Sequence, residues 1–128
     1  MNDSKNPLSP HLQIYRWHIS SLLSITHRIS GVINLFALIL IFFWLLFLSF
    51  DKSHYELFLL AINSFFGKFI LIGFAWSMCF HILSGIRHLI WDFGYGFEIK
   101  TANISGIIVI VFSLVLTIIF WLFARGFI

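Results

Sequence analysis

The chain has 128 residues, of which 60% are hydrophobic and only 10% charged, with a net charge of +3. A soluble domain carries about 25% charged residues, so this composition excludes an ordinary water-soluble globule. The basic balance, with a sequence pI near 9.4, needs no nucleic-acid partner, because a few cations at anionic headgroups account for it.

In chain order, residues 1–20 form a polar arm in which Pro7 and Pro10 disfavour a long helix. The first apolar run begins near residue 29, behind this arm, and no short apolar region with a small-residue cleavage site precedes it, which argues against a cleaved signal peptide. Three stretches without Asp, Glu, Lys or Arg follow: 29–50, 69–86 and 101–124. Lys68 alone separates the second from a further apolar segment starting at Leu57. About 20 apolar residues in a helix cross a hydrocarbon layer of about 30 Å. The runs do not alternate with period two, so they read as helices and not barrel strands. The expected fold is an all-α membrane protein of three transmembrane helices over about 21–50, 60–90 and 103–125, joined by a short outer loop at 51–56 and an inner loop at 91–103.

Placing the N-terminus in the cytoplasm puts Lys5, Arg16, Arg28, Arg87 and Lys100 on that side, against Lys52, Lys68 and Arg125 on the other. This excess favours an inside N-terminus, and an arm with few Arg residues, shorter than a typical organelle transit peptide, favours a bacterial inner membrane over a mitochondrial one. Tyr15, Trp17, Trp91 and Tyr95 would line the inner interface, and Tyr55 and Trp121 the outer one. Cys79 reads as a small packing residue. Three helices bury little against one another, so the chain is expected to form part of a heteromeric helix bundle, with Gly31, Gly67, Gly73, Gly85 and Gly106 allowing close approach.

Ser20, Ser24, His27, Arg28, Gly31 and Asn34 share one face where the first helix enters the membrane. Beyond it, residues 35–50 offer only Ser49 as a polar position. A stripe that stops part-way describes a pocket and not an ion path. Its hydroxyl and guanidinium suit a quinone carbonyl or a haem propionate, although a helix start in the headgroups has the same pattern. His81 is the one histidine expected deep in a span, roughly 10–16 Å from the interface near residues 87–92 at 1.5 Å per residue. An imidazole there is costly unless used, and a neutral imidazole is a common ligand of haem iron. His81, Gly85 and His88 fall on one face, and Gly85 would let a flat macrocycle approach the backbone. Arg87 and His88 are expected near the surface, where propionates emerge. Counting the first span from residue 29 leaves His27 at the interface, on the order of 10 Å from the depth of His81. With His11 and His18 in the arm and His54 in the outer loop, a second axial ligand is expected from a different subunit.

Two motifs carry a family resemblance. Ser9-Pro10-His11-Leu12-Gln13-Ile14-Tyr15-Arg16-Trp17, followed by Ser24-Ile25-Thr26-His27-Arg28-Ile29-Ser30-Gly31, resembles the N-terminal signature of the large cytochrome b subunit of succinate dehydrogenase. His81-Ile82-Leu83-Ser84-Gly85-Ile86-Arg87-His88-Leu89-Ile90-Trp91-Asp92 resembles that family's second signature. The likeness covers almost the whole chain, with His18 standing where many members have Pro. It implies that His81 is an axial ligand of haem b, that Ser24 and Arg28 line a ubiquinone pocket, and that His27, Arg28 and His88 lie near the haem propionates. It also implies an acidic position near the pocket at Asp92. The implied partners are a second small anchor subunit, an iron–sulfur subunit and a flavoprotein subunit, with this chain not catalytic by itself. A haem-free structural anchor and a quinol:fumarate reductase anchor are the alternatives.

Overall fold

A computed structural model describes residues 17–126 of the chain. Arm positions discussed above, including Lys5, Pro7, Pro10, His11, Tyr15 and Arg16, lie outside the described residues. The elements are α1 (Ile19–Ser49), α2 (Lys52–Asn63), α3 (Phe65–Asp92) and α4 (Ile99–Gly126). There is no strand among the described residues. Three of the helices, α1, α3 and α4, are long and apolar enough to cross a membrane. At 1.5 Å per residue the 31 residues of α1 span about 46 Å, more than the hydrocarbon layer needs.

The outer connection differs from expectation. Residues 51–56 were expected as a loop and 60–90 as one helix, whereas a separate helix, α2, fills most of this region. Asp51 is its N-cap, accepting a hydrogen bond from the His54 backbone N–H at 3.0 Å and a second from the His54 ring. The charges that suggested a loop are therefore a helix start. The break between α2 and α3 falls at Ser64, whose Oγ accepts the Gly67 N–H at 3.1 Å. A Cβ at Gly67 would collide with the carbonyl oxygens of Ala61 and Ile62, so glycine is what lets the chain turn there.

α1, α3 and α4 meet most closely at one end, hereafter the proximal end, where α1 begins, α3 finishes and α4 begins. Leu23, Phe80 and Val109 form the buried core, with Trp76, Leu83 and Ile110 packed around it. Gly106 makes this approach possible: a Cβ there would lie 2.5 Å from Leu23 Cδ1 and 3.1 Å from Ile19 Cγ2. The buried residues of α4, Gly106, Val109, Ser113 and Thr117, recur at three- and four-residue spacing along one face. Ser113 and Thr117 satisfy their hydroxyls within the helix, on the Ile110 and Ser113 carbonyls. Ser77 instead donates across helices, to the Ser30 carbonyl at 3.1 Å. Such small, hydroxyl-bearing seams are how helices associate where lipid offers no hydrophobic drive.

Candidate functional site

Three imidazoles gather at the proximal end of the α1–α3 seam. α1 begins at Ile19, so His27 stands eight residues inside it, about 12 Å along the axis. The polar residues before position 29 are helical, so the expected offset of about 10 Å between His27 and His81 is corrected. The two rings stack, with centroids 4.1 Å apart and planes 6° from parallel. His88 also neighbours His27, with ring centroids 5.1 Å apart and planes tilted by 30°.

His81 is held at one nitrogen. Its Nδ1 is 3.0 Å from Ser30 Oγ and 3.2 Å from the His27 carbonyl oxygen. No described residue bonds its Nε2. Gly31 lets the ring lie close to α1, since a Cβ there would meet Cε1 at 3.2 Å. One turn beyond, the position of a Cβ on Gly85 meets nothing within 4 Å, so that flank of α3 is open. The His88 Nδ1–H donates to the Ser84 carbonyl at 2.7 Å, which fixes that ring in turn. Two buried polar atoms in this region, His27 Nδ1 and Ser84 Oγ, have no hydrogen-bond partner among the described residues. Buried polar groups of this kind normally find a partner, so one is expected from beyond the described residues.

Arg87 departs from expectation. Instead of reaching the surface it is 5% exposed. Its Nε donates to Ser105 Oγ at 3.0 Å and its Nη2 to the Ala102 carbonyl at 2.9 Å. The guanidinium lies 4.0 Å from the Trp91 ring centre, and Trp91 donates to the Gly96 carbonyl at 3.2 Å. Arg87 thus ties α3 to α4 and to the glycine turn between them, where Gly94 and Gly96 take positive φ.

Ser24 is half-buried and Arg28 exposed, one turn apart on α1. Neither lines the proximal cleft of about 480 Å³ that His18, Ser20, Ser21, Trp91, Phe97 and Asn103 help to form. Sequence reasoning singled out His27, Arg28, His81 and His88 but passed over Ser30, although it sits three residues after His27, on the side of α1 that meets α3. Among the described residues no cluster of three or more His, Cys, Asp or Glu side chains could hold a metal ion.

The model of the family described as "Succinate dehydrogenase/Fumarate reductase transmembrane subunit" matches residues 2–120. The chain belongs to this family. A "Succinate dehydrogenase cytochrome b556 subunit" of Rickettsia prowazekii is 44% identical over 118 residues, covering 92% of both chains. The cytochrome b556 subunit of Paracoccus denitrificans is 36% identical, over 92% of this chain and 91% of that relative. A "Succinate dehydrogenase cytochrome b560 subunit" of Reclinomonas americana is 39% identical, over 91% of this chain and 84% of the relative. For a succinate dehydrogenase anchor, the arrangement at the proximal end, a fixed imidazole facing an open helix flank, is the feature with chemical content.

Proposed function

We propose that this membrane anchor holds one axial position of haem b through His81 in succinate:ubiquinone oxidoreductase, and lends Ser24 and Arg28 to the site where ubiquinone is reduced. The observation that carries this reading is the His81 ring, anchored at Nδ1 and carrying no bond from any described residue at Nε2. Its residues suit the group. The open flank at Gly85 gives a macrocycle room beside the ligand. The names of the relatives, cytochrome b556 and b560 subunits, support a haem of the b type. Bound there, haem supplies a one-electron carrier.

The His27 and His81 rings stack face to face with centroids 4.1 Å apart, which leaves no room for a haem between them. His27 is therefore a flank of the site, and the second ligand comes from a partner subunit. His27, Arg28 and His88 form the side of the site on which propionates would be paired. The orphaned Nδ1 of His27 is a donor or acceptor awaiting such a partner.

Reducing a quinone builds negative charge on its oxygens while protons arrive. An exposed guanidinium at Arg28, with the Ser24 hydroxyl one turn away, can hydrogen-bond that charge as it develops. The remaining walls come from partners, namely a second small anchor and the iron–sulfur subunit, with the flavoprotein supplying electrons from succinate. The N-terminus faces the cytoplasm, in the inner membrane of a bacterium.

Two substitutions test the reading in the assembled complex. His81→Ala should abolish or shift the low-spin haem spectrum while the subunits still co-purify; an unaltered spectrum would place the iron elsewhere. Arg28→Ala should lower quinone reduction by roughly 10²-fold, the cost of one donor aimed at developing charge, with haem content retained. Native quinone kinetics in that variant would remove Arg28 from the site.

A further inference from the structure

We propose that Ser30 is a positioning residue for His81: its hydroxyl fixes the imidazole as the Nδ1–H tautomer, presents the Nε2 lone pair to the iron and raises the electron donation of the ligand. This rests on His81 being the axial ligand.

The assignment follows from counting protons. A serine hydroxyl has one hydrogen to give. Ser30 gives it to the His27 carbonyl oxygen, 2.7 Å away in its own helix. Toward His81 the same oxygen offers only lone pairs, 3.0 Å from Nδ1. The other group facing Nδ1, the His27 carbonyl at 3.2 Å, is also acceptor-only. Two acceptors against one ring nitrogen require a hydrogen on that nitrogen. A neutral imidazole carries one N–H, so the lone pair must be on Nε2.

The surroundings make this arrangement hard to escape. Ser30 is 1% exposed, so water does not compete for its hydroxyl. Flipping the ring would set a carbon against both acceptors and lose both bonds. Gly31 brings the backbone close to Cε1, and His27 covers one ring face at a 6° interplanar angle. The hydroxyl thus acts on the metal through the ligand: a hydrogen bond from the distal N–H makes the imidazole more basic and favours oxidised iron.

The test uses the intact complex carrying Ser30→Ala or Ser30→Thr, read by the haem midpoint potential and the low-spin paramagnetic resonance signal. Ser30→Ala leaves only the longer carbonyl contact. The balance should move about fivefold toward the reduced form, a more positive potential, which is the equilibrium value of one ordinary hydrogen bond. The resonance signal should change with it. Ser30→Thr keeps the hydroxyl and should restore both readouts, or restore haem itself if Ser30→Ala loses it. Native potential and signal in Ser30→Ala would overturn the proposal while leaving His81 as ligand. Loss of haem from both variants would also overturn it, because a retained hydroxyl would then rescue nothing. Failure of the underlying ligand assignment is seen separately, as an unaltered spectrum in His81→Ala.

Discussion

The two ends of this bundle are built on different terms. At the proximal end α1 buries Leu23 and Ser30, α3 buries Phe80, Ser84 and Arg87, and α4 buries Gly106 and Val109, with polar side chains bonded from one helix to the next. Along residues 35–49 of α1 no residue is buried, and Leu35, Phe36, Leu38, Phe42 and Leu45 are all more than half exposed. α2 buries nothing either. For α1 the tight packing is concentrated where the histidines are, whereas burial on α4 continues further along at Ser113 and Thr117. A redox group needs its ligand fixed to within a fraction of an ångström, and only the proximal end has the contacts to do that.

Matched substitutions at the two ends should differ sharply. Arg87→Ala removes two charge-assisted hydrogen bonds and an aromatic contact, and should cost roughly 2–4 kcal/mol in thermal or denaturant unfolding of the complex. Lys68→Ala, at an exposed distal position, should stay within about 0.5 kcal/mol. A smaller contrast separates two glycines. Gly106→Ala forces a methyl against Leu23 and should destabilise by about 1–3 kcal/mol. Gly73→Ala meets nothing within 4 Å and should stabilise α3 by about 0.5–1 kcal/mol, unless a partner helix occupies that face. Equal effects at the paired positions would remove the distinction between the ends.

The least effect is expected at the outer turn. Hydrogen bonds from the His54 side chain and backbone hold the Asp51 carboxyl below the usual carboxylate range. A depressed pKa means the cap contributes fully above the unfolded value, about 3.9, and is lost as pH falls through the lower folded value. Protection of the amides at residues 54–56, measured relative to their intrinsic exchange rates, should therefore be constant from pH 8 to about 5 and fall only in strong acid. Asp51→Asn keeps an acceptor for the His54 N–H and should lose that acid dependence.

The three spans were legible because hydropathy alone decides them. The break at Ser64 was not, since no proline marks it and the turn depends on Gly67 meeting two carbonyls folded back from α2. His27 was placed too shallow for a physical reason. Counting from the first unbroken apolar run treats polar residues as outside the membrane, yet Ser24 and His27 extend the helix inward because the bundle gives them neighbours. Arg87 was read as surface-bound because its acceptors, Ala102 and Ser105, lie 15 and 18 residues further on and their approach is a tertiary fact. At the candidate site, residue types drew attention to His81, Arg28 and His88, but a serine stands out only once its proton can be traced to an acceptor.

The bond from Ser77 to the Ser30 carbonyl ties a side chain on one helix to the main chain of another. No substitution on α1 short of proline insertion can take that acceptor away, whereas a single change at position 77 removes the donor. The alignment of the two spans is in this respect written into α3 alone. Drift in the α1 sequence away from His27, Ser30 and Gly31 would leave that tether standing.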